Sequence, residues 1–195
     1  MKENLSIAIL AGGKSQRFGR DKAMLMFNEL TLLDITYREL KSISDDIRII
    51  GNVRKKSSIP DELFLSDMVK NRGPMGGLYT ALKYFNKTVL LASCDMPFLK
   101  REHYRYLIGQ MDQSKDATIA RSDKGLEPLF ALYQPDLIPQ IERRIANKSY
   151  AMHQLINQLN VKIVDFSTSV NISYLFFNIN TLRDYKKALY LREQN

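Results

Sequence analysis

An α/β sandwich with a mostly parallel sheet is the fold that this chain of 195 residues predicts, on two observations. Apolar runs of strand length alternate with segments whose apolar residues recur every three or four positions, the pattern of strands joined by helices. Three chemically suggestive features, a glycine-rich loop, Asp67 and Asp95, each directly follow one of those runs, where doubly wound sheets gather their ligands.

The first run, Ser6 to Leu10, is a strand rich in Ile and Leu that leads into the glycine loop. Leu33 to Ile43 follows as a helix, with Leu33, Tyr37 and Leu40 on one face, and Ile47 to Ile50 returns as the second strand. Leu63 to Leu65 is a short strand before Ser66-Asp67. Gly76 to Tyr84 is a helix opened by the turn RGPMGGL, residues 72–78, and Val89 to Ala92 is a buried strand before Asp95. Arg101 to Met111 repeats the helical spacing at Tyr104, Leu107, Ile108 and Met111. The runs Ala117 to Ala120 and Leu129 to Tyr133 flank a polar loop, Arg121 to Gly125, short enough for a hairpin, so the sheet is expected to acquire an antiparallel edge there. Leu137 to Ile145 and Met152 to Leu159 are helices, Lys162 to Phe166 is a last strand, and Leu182 to Leu191 is a closing helix.

Bulk properties narrow the function classes. The length suits one domain, 1–195, with a sizeable core. Hydrophobic content of 45% and charged content of 26% are ordinary for globular proteins. No eighteen apolar residues stand together and the N-terminal apolar stretch is too short for a signal peptide, so a soluble cytoplasmic protein that does not engage a membrane is expected. Cys94 is the only cysteine, which excludes an intramolecular disulfide and any cysteine cluster for zinc or iron–sulfur. A net charge of +8 suits an anionic partner. The cations are spread along the chain, with Arg54-Lys55-Lys56 the only tight run, so small anionic ligands are preferred over nucleic acid.

Residues 10–22 read LAGGKSQRFGRDK. Gly12, Gly13 and Gly19 let the backbone approach a ligand with successive N–H groups turned toward one anion. Lys14, Arg17, Arg20 and Lys22 supply charge for several phosphate oxygens. Neither familiar phosphate motif fits. AILAGGKS matches a relaxed P-loop only with Ala8 in place of glycine, and the glycines lack the G-x-G-x-x-G spacing. Asp67 and the RGPMGGL turn read equally as site elements or as an ordinary capped turn. Asp95, in CDMP, either caps the following turn or acts as an oxygen ligand for Mg²⁺, which is usually held by one or two carboxylates plus substrate phosphates. Cys94 is expected to be a buried strand-end residue, and His103 and His153 to be structural or surface residues. With no triad or general base in view, phosphoryl chemistry is favoured in which an already ionised phosphate monoester attacks a nucleoside triphosphate.

These motifs, with SCDMPFL, EPLFALY and FNINTLRDY at residues 93–99, 127–133 and 177–185, resemble the molybdenum cofactor guanylyltransferases from end to end. The first motif marks the wider Rossmann-like nucleotidyltransferase superfamily, and LAGG with RDK, GPMGGL and NIN favour the guanylyl branch. The resemblance implies a three-layer sandwich of the nucleotide-diphospho-sugar-transferase type, and an enzyme that transfers GMP from GTP to the terminal phosphate of molybdenum-molybdopterin with release of pyrophosphate. It implies GTP contacts from Leu10, Ala11, Gly12 and Gly13, a phosphate contact from Lys22, and a loop shaped and charged by Arg17 and Gly19. Asp67 matches a nucleotide-binding aspartate, and Asp95 a ligand of Mg²⁺ that also touches the nucleotide. Gly73 and Gly77 flank the nucleotide pocket, while Asn178 and Asn180 match the molybdopterin side. Asn52 stands where a base-contacting asparagine is expected, although GNVR around it does not align cleanly. Met75-Gly76 replaces the commoner Leu-Ala, a change not expected to alter a backbone role, and no second metal carboxylate is evident. A monomer that meets other proteins of the cofactor pathway transiently is implied. A cytidylyl- or sugar-phosphate nucleotidyltransferase of the same fold, or a non-catalytic GTP- or nucleic-acid-binding module, are the competing readings.

Overall fold

The computed structural model describes residues 5–12, 21–51, 58–166 and 174–194. Its seven-stranded sheet is formed by β1 (Leu5–Leu10), β4 (Ile47–Ile50), β5 (Phe64–Leu65), β6 (Thr88–Ser93), β7 (Ala117–Ser122), β8 (Gly125–Tyr133) and β9 (Val161–Asp165), in the order β5-β4-β1-β6-β8-β7-β9. A separate small hairpin pairs β2 (Met26–Phe27) with β3 (Leu30–Thr31). β5, β4, β1 and β6 are mutually parallel, β8 runs antiparallel to both β6 and β7, and β9 returns parallel to β7.

Because both sheet faces are covered, the central strands β1 and β6 are mostly apolar on both faces, with only Ser6, Thr88 and Ser93 as buried polar residues. On one face Ile7, Ile9, Leu90 and Ala92 pack with α1 (Leu32–Lys41) and α3 (Arg101–Gly109). On the other, Ala8, Val89 and Leu91 pack with α2 (Gly73–Phe85), α4 (Ile138–Ala146) and α5 (Met152–Ile156). This is the three-layer sandwich. A third cluster, Phe27, Leu32, Phe98, Ile179 and Ala188, fastens the β2–β3 hairpin and α6 (Leu182–Glu193) to the segment after β6.

Most expected elements are present within a residue or two. The hairpin between the seventh and eighth strands is tighter than its polar stretch suggests: Ser122 pairs with Gly125, leaving only Asp123 and Lys124 in the turn. α2 starts at Gly73, three residues earlier than expected, because Pro74 is pre-set for a first helical turn. α5 stops at Ile156, short of the expected Leu159. In β8 the register shifts between Ile119↔Ala131 and Ala120↔Glu127, and Pro128, which has no N–H to donate, lies in that bulge with its carbonyl accepting from the buried Tyr133 hydroxyl at 2.9 Å.

Candidate active site

The parallel registers place Leu65, Ile50, Leu10 and Ser93 in one row across β5, β4, β1 and β6. The residues just beyond that row therefore emerge together at the carboxyl edge of the sheet: Asp67, Gly51, Ala11 with Gly12, and Asp95. Gly13, Arg17 and Gly19 of the glycine loop, and Asn52, lie outside the described residues.

At the β1 end the Ala11 N–H donates to Ile50 O at 2.9 Å, while Gly12 is exposed. Gly51 packs directly on this turn. With φ at +144°, a Cβ there would lie 1.8 Å from Ala11 O, so only glycine lets the two strand ends meet. A second close approach seats α2 against β1, since a Cβ on Gly77 would lie 2.5 Å from the Leu10 side chain. Gly76 is also constrained, since a Cβ there would lie 2.8 Å from Val69 O, so the Met75-Gly76 variation does touch the backbone packing of this turn. Gly73 faces open space.

Asp67 fastens the same turn. Its Oδ1 accepts from Val69 N–H and from the Thr80 hydroxyl, each at 3.0 Å, and the Thr80 oxygen accepts from Met68 N–H at 2.9 Å. One carboxylate oxygen is thus engaged in a turn cap, and the other lies beside Gly76. Arg72, just ahead of α2, stacks its guanidinium on Tyr150 at 4.6 Å.

The tightest convergence is at the end of β6. Asp95 is 9% exposed; its Oδ1 accepts from the Ser93 hydroxyl at 2.7 Å and its Oδ2 meets Lys22 Nζ at 2.7 Å. Lys22 begins a short 3₁₀ turn (Lys22–Met24) capped by the Asp21 side chain, which directs the lysine toward β6. The same ammonium donates to Asn180 Oδ1 at 3.1 Å. Asn180 is held from behind: Ile179 N–H donates to Asp95 O at 2.9 Å, and Asn180 and Thr181 N–H donate to Asp184 Oδ2 at the start of α6. Lys22, Asp95 and Asn180 are therefore brought together, whereas the Asn178 amide turns back to Phe176 O at 3.3 Å.

Cys94 is buried and its thiol is pushed up to about 12 by that burial, with the Asp95 charge adding to it, so it is inert at neutral pH, as expected for a strand-end residue. His103 is half-buried and its Nδ1 accepts from Lys100 N–H at 3.0 Å, a capping role away from the Asp95 cluster. Glu127 carries no motif of its own in the sequence. The β8 bulge pairs it with Ala120, where the Ser122 hydroxyl donates to Oε1 at 2.6 Å, and burial, aided by the Asp95 charge, raises its carboxyl above the usual range. Its place in EPLFALY, next to a proline unsuited to a central strand, was the available signal.

A glycine turn at the end of β1, flanked by a glycine-packed helix start and facing a paired lysine and aspartate, on a seven-stranded α/β sheet, defines a nucleotidyltransferase. The chain belongs to the MobA-like NTP transferase domain family, whose model matches residues 7–163. It is similar to a protein named probable molybdenum cofactor guanylyltransferase from Peptoclostridium acidaminophilum, at 30% identity over 93% of this chain and 87% of the relative. A molybdenum cofactor guanylyltransferase from Desulfosudis oleivorans is 29% identical over 92% of each chain. Among solved structures, molybdopterin-guanine dinucleotide biosynthesis protein A from Archaeoglobus fulgidus superposes with a TM-score of 0.80 at 24% identity, over 97% of this chain and 100% of that one, which shows a shared fold. Among the described residues, no helix is long and apolar enough to cross a membrane.

Proposed function

We propose that this nucleotidyltransferase moves GMP from GTP to the terminal phosphate of molybdenum-molybdopterin, forming the guanine dinucleotide form of the cofactor and releasing pyrophosphate. The observation that carries the reading is the convergence of Lys22, Asp95 and Asn180 beside the Ala11–Gly12 turn, within a chain matched over nearly its whole length by relatives named for this activity.

In this reading the backbone at Leu10, Ala11 and Gly12 lies along the nucleotide, with Gly51 and Gly77 keeping that turn in place. Asp67 and the start of α2 border the same pocket. An oxygen of the acceptor phosphate forms a bond to the α-phosphorus of GTP, and the bond from that phosphorus to the bridging oxygen breaks, that oxygen keeping the electron pair as pyrophosphate leaves. The attacking phosphate is largely ionised at neutral pH, with its second pKa at about 6, so no side chain has to remove a proton. Lys22 balances the charge that accumulates on the leaving group, and preorganised charge of this kind contributes strongly to phosphoryl transfer. Asp95 suits Mg²⁺ on the chemistry of its donors: one oxygen is pinned by Ser93 and the other is already engaged with a cation. When bound, Mg²⁺ supplies Lewis-acid charge to phosphate oxygens. The protein works as a cytoplasmic monomer of one domain that meets other proteins of molybdenum cofactor biosynthesis transiently.

The test is to supply molybdenum-molybdopterin, Mg²⁺ and each nucleoside triphosphate in turn, and to identify the product by mass together with pyrophosphate release. A guanine dinucleotide formed from GTP, with no comparable product from CTP, is the expected result. GTP with Mg²⁺ at about a hundredfold excess over its dissociation constant should also stabilise the fold by roughly 2.7 kcal/mol. Equal turnover with CTP would overturn the guanine assignment, and pyrophosphate release with a sugar phosphate alone would overturn the acceptor.

A further inference from the structure

Two oxygens from segments far apart in the chain converge on one positive charge. Lys22 Nζ stands 2.7 Å from Asp95 Oδ2 and 3.1 Å from Asn180 Oδ1, residues 73 and 158 positions away in sequence. Asp95 is pinned through its other oxygen by the Ser93 hydroxyl, and the backbone that carries Asn180 is held by the bonds from Ile179 N–H to Asp95 O and from Asn180 N–H to Asp184. Carboxylate and amide oxygens are the ligands that hard divalent cations take. An ammonium and a divalent cation cannot share a point at this spacing, because like charges within a few ångströms repel strongly in a partly buried setting, and the side chains of Lys22 and Asp95 are only 20% and 13% exposed.

We propose that Asp95 and Asn180 form a two-oxygen clamp for the divalent cation, that the Lys22 ammonium is its place-holder, and that metal and nucleotide consequently bind as a coupled pair, with Lys22 passing from the clamp to the phosphates. The proposal rests on the reading of Asp95 as the Mg²⁺ carboxylate. Without a nucleotide, a cation entering the clamp must expel Lys22 toward solvent with no anion to receive it. With a triphosphate in place, the flexible four-carbon stem carries the ammonium onto phosphate oxygens and the clamp is vacated. Linkage makes the effect reciprocal: nucleotide tightens metal binding by the same factor as metal tightens nucleotide binding. Asn180 thereby acquires a metal-side role distinct from the acceptor-side role that resemblance assigns to it.

The test measures Mn²⁺ binding by electron paramagnetic resonance, with and without GTP and in the absence of any acceptor, in the full chain and in Lys22→Met, with Lys22→Gln as a second replacement. Circular dichroism checks that each variant is folded. The wild type should bind Mn²⁺ at least tenfold more tightly once GTP is present. Without GTP, both lysine variants should bind Mn²⁺ about tenfold more tightly than the wild type, and GTP should add much less to their affinity. Asn180→Ala placed on Lys22→Met should weaken nucleotide-free Mn²⁺ binding severalfold. Equal nucleotide-free affinities in the wild type and both lysine variants would overturn the place-holder, and an affinity untouched by Asn180→Ala would overturn the clamp. If Asp95→Asn leaves Mn²⁺ binding with GTP unchanged, the metal reading of Asp95 itself fails and takes the proposal with it, an outcome separable from the lysine comparison.

Discussion

Replacing Gly51 with alanine is expected to cost about 4 kcal/mol of stability and to slow turnover by on the order of a hundredfold. Two strains add at this position. An L-residue held at φ +144° lies in a sparsely populated region that costs roughly 1–3 kcal/mol. The new Cβ would also stand 1.8 Å from Ala11 O and must retreat by about 1.6 Å to reach ordinary contact at 3.4 Å, an overpacking worth about 1–3 kcal/mol. Neither partner gives easily, because the Ala11 N–H is bonded to Ile50 O and the Gly51 N–H to Leu65 O. The displaced peptide is Ala11–Gly12, and misplacing a substrate-positioning group by about 1 Å can cost about a hundredfold in rate. Urea denaturation of Gly51→Ala beside Gly73→Ala isolates the contact. Gly73 also has a positive φ, +58°, but nothing lies within 4 Å of its would-be Cβ, so it should lose only the backbone cost of about 1–2 kcal/mol. If the two variants lose the same stability, or if Gly51→Ala turns over at the wild-type rate, the close approach of β4 to the β1 turn does not position the site.

Lys22→Met and Asp95→Asn should each keep the far-UV circular dichroism of the wild type while turnover falls by about a hundredfold or more; wild-type rates in either would move the chemistry away from the end of β6. Glu127→Gln should raise the melting temperature at pH 7, because burial raises the Glu127 carboxyl in the folded chain. Its stabilising contribution is therefore present below about pH 4.5 and lost as pH rises through the folded value. The glutamine retains an acceptor for Ser122, and the advantage should vanish below pH 4.5 in melts run across that range. His103 behaves with the opposite sense. Burial lowers its pKa in the folded chain, so stability should fall as pH drops below about 6.5. His103→Gln should flatten that part of the stability–pH curve, and an unchanged slope would show that another group produces it.

The strands and helices of the sandwich were legible because each is a local pattern: a run of Ile, Leu and Val for a strand buried on both faces, a three-to-four spacing for each covering helix. Asp67 and Asp95 were legible for a related reason, since a polar residue directly after a buried strand must surface at the sheet edge. The β2–β3 hairpin is not legible in the sequence because two-residue strands around Asn28, at φ +66°, carry no periodicity at all. The constraint on Gly51 is hidden in the sequence because it comes from the Ala11 carbonyl at the end of another strand, and the place of Glu127 because a bulge three strands from β4 decides it. Resemblance puts Asn180 on the acceptor side, and only the folded chain brings it to Lys22.

The contact between Lys22 and Asn180 also bears on the order in which the protein is made. The two residues are 158 positions apart, so at roughly 5–20 residues per second the ribosome adds Asn180 about 8–30 s after Lys22. During that interval β4, β5 and β6 join the already synthesised β1, and the nascent chain owns the parts of a nucleotide pocket without the segment that closes it over Asp95. Assembly of this site is thus timed by its last stretch of chain: translation halted before Ile179 yields a polypeptide with every strand of the sheet, and an Asp95 carbonyl still waiting for its donor.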